Sequence, residues 1–254
     1  MFPYRDDNPT VLTPFVTVAI IVVTTAVWIV VQGAGMGPPM LGSLCELGLI
    51  PGEITGRIPD GTLVPLGAGA ACRLGGQPYH TVVTSMFLHG GWFHLLGNMW
   101  FLWVFGNNIE DSMGHLRFVV FYLATGTLAA AAQVVANPSS GVPMVGASGA
   151  ISGVMGAYLV LYPRVRVHML VVLGFFITTV AVPASFMLLY WAFLQLAGSM
   201  VGGGGEGGGV AFMAHLGGFV AGAALITFFR NPDLVRAHRR PRVVIGSFDR
   251  RWPY

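Results

Sequence analysis

Four polar side chains that could carry out covalent catalysis lie in otherwise apolar stretches of the chain. They are Ser148, His215 and the pair His94 and Asn98, which are four residues apart. A serine hydroxyl becomes an effective nucleophile when a histidine accepts its proton. Residues at i and i+4 of a helix share one face, so His94 and Asn98 could together donate hydrogen bonds to an oxyanion. These residue types predict a serine nucleophile, a histidine base and two oxyanion donors.

The composition of the chain indicates the environment in which these residues lie. Of the 254 residues, 54% are hydrophobic and 9% are charged, and the mean hydropathy is +0.71. A water-soluble globule of this size cannot bury so large a share of apolar side chains. We therefore expect an integral membrane protein.

Six apolar stretches are long enough to cross a hydrocarbon core of about 30 Å, which takes about 20 helical residues. In the fifth, the apolar run begins near Val167 and contains Pro183, so part of it is expected to lie along the interface or to kink. The predicted fold is an all-α membrane protein, a six-transmembrane-helix bundle with a long first outer loop. The predicted spans are residues 11–31, 90–109, 117–136, 143–162, 175–197 and 210–229.

Charge predicts the orientation of the bundle. All thirteen basic residues are arginine, and all except Arg57 and Arg73 fall on one side if the six spans alternate. The positive-inside rule makes that side the cytoplasm, and we expect a multi-pass protein of the cell (plasma) membrane. Residues 1–10 are then a cytoplasmic N-terminus, residues 11–229 the six-span catalytic domain and residues 230–254 an arginine-rich cytoplasmic tail. Topology and lipid contact explain that tail without a nucleic-acid partner.

Two features of the outer and N-terminal segments bear on the compartment. The first apolar run has the length of a true span and no small-residue cleavage site follows it, so no cleavable signal peptide is expected. Cys45 and Cys72 both fall in the first outer loop. A disulfide and two buried free thiols are both compatible with the sequence.

The four candidate residues share one depth in the predicted bundle. Spans two, four and six run from the outside inward, and each candidate lies within about two turns of the outer end of its span. At 1.5 Å per residue they lie roughly 5–10 Å below the outer surface. Polar groups at such a depth normally face a bundle interior or a water-filled cavity. Because Ser148 opens a helix, the free backbone N–H groups there suit a developing oxyanion.

Glycines are placed so that the two helices carrying the serine and the histidine can approach closely. Gly149 and Gly153 in span four, and Gly218 and Gly222 in span six, form two small-xxx-small ridges. Close approach of these ridges would bring the serine within hydrogen-bond reach of the histidine. Gly146 is expected to serve the geometry of the helix end.

Three segments of the chain resemble the signature segments of the rhomboid intramembrane serine proteases. They are HGGWFHLLGNMWFLWVFGNNIED (residues 89–111), GASGAISG (146–153) and AHLGGFVAG (214–222). The resemblance covers roughly residues 10–230. It implies that Ser148 is the nucleophile, that His215 is the base and that His94 and Asn98 line the oxyanion hole.

The resemblance also implies a reaction. The reaction is hydrolysis of a peptide bond in or next to the transmembrane segment of another membrane protein. A Ser-His dyad that opens toward the outer face would carry it out, without cofactor or metal. A dyad fits a chain with no acidic residue at the depth of His215.

The sequence departs from the family pattern at three places. Many members carry a Trp-Arg pair in the first loop, where this chain has Tyr79 and His80. Some members place an aromatic ring four residues after the nucleophile, where this chain has Ser152. The glycine-rich residues 198–209 would suit either a flexible cap over the site or a slack connector.

Three other functions fit the sequence less well. A catalytically inactive rhomboid-like protein that binds membrane clients would be expected to lack Ser148 or His215, and both are present. A metal hydrolase is disfavoured because His89 and His94 are about 140° apart around a helix and no H-E-x-x-H motif occurs. A channel or transporter would show polar residues continuing to the inner side. The expected partners are transmembrane protein substrates and the lipid bilayer, with no nucleic acid and no metal.

Overall fold

Helices make up most of the chain. The computed structural model describes residues 2–67, 70–76, 78–201 and 211–239. Single 3₁₀ turns lie at Gly33–Gly35 and Ser85–Phe87. The α-helices of the described part are α1 (Phe15–Val30), α2 (Gly37–Leu47), α3 (Pro51–Ile54), α4 (Thr81–Thr84), α5 (Trp92–Met113), α6 (His115–Ala136), α7 (Ser148–Leu161), α8 (Ala184–Val201), α9 (Phe212–Phe229) and α10 (Pro232–Arg239).

The predicted helical bundle is supported, but two small antiparallel sheets, which the all-α prediction did not include, accompany the helices. In one sheet, the strand order is β1-β4-β5, and in the other β2 pairs with β3. The second sheet lies in the predicted first outer loop. The strands are β1 (Phe2–Asp6), β2 (Leu63–Gly67), β3 (Ala70–Arg73), β4 (Arg166–Leu173) and β5 (Phe176–Pro183).

The β4–β5 hairpin corrects the prediction for the fifth span. The two strands pair in register from Arg166 with Pro183 to Leu173 with Phe176. Helix α8 begins only at Ala184, so the prediction of span five is wrong over residues 175–183. The run is apolar enough for a span, but hydropathy does not distinguish a buried strand from a helix, and its valines and threonines favour a strand. Gly174, with a φ of 59°, makes the turn between the strands.

Two helices of the described part have both the length and the composition of a membrane span. Among the described residues, α6 and α9 are long and apolar enough to cross a bilayer, and α1, α7 and most of α8 are shorter apolar helices. Helix α5 has 22 residues and carries Glu110 and Asp111 near its C-terminal end. A helical membrane bundle is therefore supported, whereas the number of six crossings stays a prediction.

Helices α7 and α9 pack at backbone contact through glycines. A Cβ added to Gly218 would lie 2.0 Å from the carbonyl oxygen of Gly149, and one added to Gly222 would lie 1.9 Å from that of Gly153. Gly149 has no more room, since its Cβ would come within 2.7 Å of the Ala129 side chain on α6. A side chain at Gly218 or Gly222 would force α7 and α9 apart, and one at Gly149 would force α7 away from α6.

Two buried carboxylates hold the start of α1 against the C-terminal end of α5. Glu110 accepts hydrogen bonds at 2.8–2.9 Å from the backbone N–H groups of Val16 and Thr17, in the first turn of α1. Asp111 accepts hydrogen bonds from the N–H groups of Val11 and Leu12. Free N–H groups at a helix start favour negative charge, so the two carboxylates cap and orient α1.

The first loop is anchored at two points. Cys45 in α2 and Cys72 in β3 form a disulfide. The buried side chain of Gln32 accepts from the N–H of His89 at 2.8 Å and donates to its carbonyl oxygen at 2.9 Å. The loop therefore holds the segment that leads into α5.

Two predicted features lie largely outside the described residues. Of the glycine-rich residues 198–209, the structure describes only 198–201, which belong to α8. Of the arginine-rich tail, it describes residues 230–239, which include α10.

Candidate active site

The structure brings Ser148 and His215 into direct contact. The distance between Ser148 Oγ and His215 Nε2 is 2.7 Å, within hydrogen-bond range. Ser148 is the first residue of α7, and His215 lies in the first turn of α9. The close packing of these two helices positions the pair, so the contact depends on the glycines between them.

A third side chain, which the sequence analysis missed, contacts the other nitrogen of the imidazole. Oε1 of Gln195, on α8, lies 2.8 Å from His215 Nδ1. The signal in the sequence was a single amide side chain in an apolar span, which is costly unless it faces a partner. Predicted span five runs in the opposite direction to predicted spans two, four and six. The comparison of depths was made among those three spans, so it did not include Gln195.

Helix α8 also supplies an aromatic contact to His215. The Trp191 ring lies 6.0 Å from the imidazole, centroid to centroid, with an angle of 39° between the planes. Ser152, four residues after Ser148, is buried and donates its hydroxyl to the Ser148 carbonyl oxygen at 2.6 Å. The hydroxyl of Ser152 is thus engaged within α7, and the aromatic neighbour of the histidine comes from another helix.

His94 and Asn98 face the same cavity from α5. The backbone N–H of Gly90 donates to His94 Nδ1 at 3.2 Å, so a neutral imidazole carries its proton on Nε2. The side-chain amide of Asn98 donates one N–H to the His94 carbonyl oxygen at 2.9 Å and has a second N–H to offer. Each residue therefore has a donor for a group bound in the cavity.

Gly146 lies between His94 and Ser148. A Cβ at this position would come within 2.9 Å of His94 Nε2 and 3.5 Å of Ser148 Oγ. Its φ is 130°, in the region that favours glycine, and its N–H donates to the Ser85 carbonyl oxygen at 2.9 Å. Glycine is needed here for the backbone turn into α7 and for the room between the two side chains.

The candidate residues line one cavity of about 970 Å³. Side chains from α5 to α9 and from the first loop form its wall, so the cavity lies inside the bundle. Ser148, His215, His94 and Asn98 all contribute to the lining. This volume lies within the range of sites that hold ligands or peptide segments.

His89 supports this site from outside α5. Its side chain is fully buried, and its ring packs on that of His94 with centroids 5.0 Å apart. Burial, with a smaller contribution from the nearby His94, lowers the pKa of His89 to about 3. The ring is therefore neutral at physiological pH.

Among the described residues no group of three histidine, cysteine or acidic side chains could hold a metal ion.

Comparisons with known proteins agree with these features. The family described as Rhomboid domain matches residues 76–232. The chain is 30% identical over 173 residues to the presenilin-associated rhomboid-like protein, mitochondrial, of Mus musculus, which covers 65% of this chain and 41% of that protein.

Two relatives named as proteases also match. The chain is 38% identical over 98 residues to rhomboid protease GluP of Bacillus subtilis, covering 39% of this chain and 19% of the relative. It is 34% identical over 147 residues to rhomboid-like protease 5 of Toxoplasma gondii, covering 56% and 15%. The chain spans about two fifths of the length of its mitochondrial relatives and less of these two. Since the family match covers more than half of the chain, this integral membrane protein belongs to the rhomboid family.

Proposed function

We propose that the chain is an intramembrane serine endopeptidase. It hydrolyses peptide bonds in or next to the transmembrane segments of other membrane proteins, with Ser148 as nucleophile and His215 as base. The observation that carries the proposal is the 2.7 Å contact between Ser148 Oγ and His215 Nε2 in a cavity inside the bundle. The relatives named as proteases support the reaction class.

The first half of the reaction follows from the positions of these groups. Ser148 Oγ attacks the carbonyl carbon of the scissile bond while its proton moves to His215 Nε2. The negative charge that develops on the carbonyl oxygen is met by His94 Nε2–H, Asn98 Nδ2–H and the free N–H groups at the start of α7. His215 then gives its proton to the leaving amine, and an acyl-enzyme ester remains on Ser148.

The second half of the reaction repeats these roles with water. His215 accepts a proton from water as the water oxygen attacks the ester carbonyl, and the same donors meet the oxyanion. Collapse of this second intermediate returns the proton to Ser148 Oγ and releases the carboxylate. No step requires a metal or a cofactor.

The proposed topology has six spans, with the site opening toward the outer face. We assign residues 11–229 to the catalytic domain, place residues 1–10 and 230–254 in the cytoplasm, and assign the protein to the cell membrane.

Cysteines introduced at Ser139, between α6 and α7, should react with an impermeant thiol reagent from outside in intact cells. Cysteines introduced at Arg164, after α7, should react only after permeabilisation. The reverse pattern would invert the topology. Cys45 and Cys72 do not interfere because they are bonded to each other.

Incubation with a substrate tests the function directly. The detergent-solubilised chain should cut a model protein with one transmembrane segment, and mass spectrometry should map the cut in or beside that segment. The control is the same substrate without enzyme. If the folded, lipid-supplemented protein binds the substrate but never cuts it, the chain is a client-binding relative without protease activity.

Loss of the Asn98 amide should lower turnover more than substrate affinity. The proposed hydrogen bond from Asn98 strengthens as the carbonyl oxygen gains charge, so Asn98→Ala should reduce kcat by roughly 10² to 10³, the scale of losing one oxyanion donor. Steady-state kinetics on the model substrate measures this. A rise in KM with unchanged kcat would make Asn98 a binding residue instead.

A further inference from the structure

Helix α8 directs two side chains at the imidazole of His215. Gln195 accepts at Nδ1 over 2.8 Å, and Trp191 stands beside the ring. The two residues are four apart, so they project from the same face of α8, one turn from each other. Both are partly buried in the bundle. His215, on α9, therefore contacts α7 through Ser148 and α8 through Gln195 and Trp191.

We propose that Gln195 is a positioning residue that fixes the tautomer and the orientation of His215, with Trp191 supporting the ring from the side. This inference rests on the proposed function, because the tautomer of His215 matters for the reaction only if His215 is the base. It adds a neutral third member to the Ser-His pair.

The chemistry of a neutral imidazole explains why the tautomer matters. One ring nitrogen carries the proton and the other accepts a hydrogen bond. Ser148 can transfer its proton only to an unprotonated Nε2, so the ring proton must be on Nδ1. A buried Nδ1–H needs an acceptor, and Oε1 of Gln195 supplies it. Replacement of Gln195 by a residue without that oxygen would leave the Nδ1–H unpaired. It would favour the tautomer with the proton on Nε2, which cannot accept a proton from serine.

The amide also contributes after the proton transfer. The imidazolium formed in the reaction donates from both nitrogens, and the Gln195 carbonyl remains the acceptor at Nδ1. The amide carries a dipole without a full charge, so its contribution is smaller than that of a carboxylate in the same place. We expect its loss to lower kcat by about tenfold to a hundredfold, the scale of one buried hydrogen bond.

Within the part of the chain that the structure describes, no charged side chain contacts His215 Nδ1. The sequence has no acidic or basic residue between His168 and Glu206, a stretch that includes all of α8, and none within α9 except His215 itself. The groups that face His215 from the packed helices are Ser148 on α7, Gln195 and Trp191 on α8 and, across the cavity, His94 on α5. Gln195 is thus the acceptor that the structure provides for Nδ1.

The test compares Gln195→Leu, which removes the acceptor at similar size, with Gln195→Glu, which retains an oxygen at the same place. Leu196→Ala, at a neighbouring position that is 47% exposed, is the matched control on the same helix. Two measurements are made on each full-length protein: kcat and KM on the model substrate, and the tautomer of His215 by ¹⁵N NMR of histidine-labelled protein. Thermal unfolding monitors folding in all variants.

The expected result separates positioning from a structural role. Gln195→Leu should lower kcat by about tenfold to a hundredfold with KM within about twofold, and should shift His215 away from the Nδ1–H tautomer. Gln195→Glu should keep the Nδ1–H tautomer and recover most of kcat, with the acid limb of its pH profile moved to higher pH because a carboxylate would favour the imidazolium. Leu196→Ala should match the parent protein in both measurements.

Two results would overturn the proposal. One is Gln195→Leu with an unchanged tautomer, whatever its activity. The other is Gln195→Glu as impaired as Gln195→Leu, with both folded, because then the oxygen acceptor has no role. If Gln195→Leu does not fold, Gln195→Met takes its place. If the parent protein shows the Nδ1–H tautomer but does not cut the substrate, the proposed function fails and the positioning by Gln195 stands on the NMR result.

Discussion

Ser148→Ala is expected to abolish both proteolysis and covalent labelling by a fluorophosphonate, while the protein remains folded. The substitution removes the oxygen that would attack the carbonyl or phosphonyl centre and deletes one atom from a cavity that already has room. Activity should fall by about 10⁴-fold or more, since the oxyanion donors alone sustain only residual catalysis. The serine oxygen displaces fluoride from the phosphorus, so peptide mapping of the parent protein should find one phosphonyl group per chain, on Ser148.

Ser152→Ala is the matched control, because it removes the same atom one helical turn away. The Ser152 hydroxyl donates to the Ser148 carbonyl oxygen and is buried within α7. Its loss should cost about 1 kcal/mol of stability or less and leave labelling at Ser148 intact. If Ser148→Ala cuts the substrate as fast as the parent protein, the assignment of the nucleophile is wrong.

His215→Ala is expected to slow labelling at Ser148 and proteolysis by about 10⁴-fold, nearly as much as loss of the serine. A fluorophosphonate reacts rapidly only with a hydroxyl whose proton has an acceptor and whose adduct finds donors. The nearest other titratable ring, that of His94, has its Nδ1 engaged by the Gly90 N–H and offers Nε2–H as a donor, so it does not replace the base. The rate of labelling measured by quenched time points checks this expectation.

The controls for His215→Ala address folding and metal. Thermal unfolding of the variant should stay close to that of the parent protein, and chelators should leave the labelling of the parent protein unchanged. Equal labelling rates in His215→Ala and the parent protein would show that His215 is not the base. An absence of labelling in the folded parent protein would favour the client-binding alternative over the protease.

The identity of the candidate residues could be predicted from the sequence because a membrane restricts what polar groups can do. In lipid, a histidine within an apolar helix is costly unless it faces a partner or a water-filled cavity, and a shared depth follows from helical rise alone. The glycine ridges of spans four and six predicted a close approach, and α7 and α9 do pack with Gly218 against Gly149 and Gly222 against Gly153. Membership of the rhomboid family is confirmed by the match to residues 76–232.

The strands could not be predicted in the same way. Residues 169–183 are mostly apolar and carry no charged side chain, and such a run satisfies the hydropathy of a membrane span as well as that of a β-hairpin. The N-terminal strand β1 pairs with β4 from 161 to 168 residues away in the chain. A pairing over that distance depends on where the helices bring the two segments, which no local pattern records.

Composition, motif spacing and helical rise are local properties, so they sufficed to predict a membrane protein, its family and the residue types that could perform the chemistry. Which of these groups meet depends on the packing of the whole bundle. The 2.7 Å contact of Ser148 with His215 depends on the distance between two helix axes, and the contact of Gln195 with Nδ1 depends on the rotation of α8 toward α9. Both are set by side-chain packing among helices far apart in sequence, and packing is decided by the whole bundle at once.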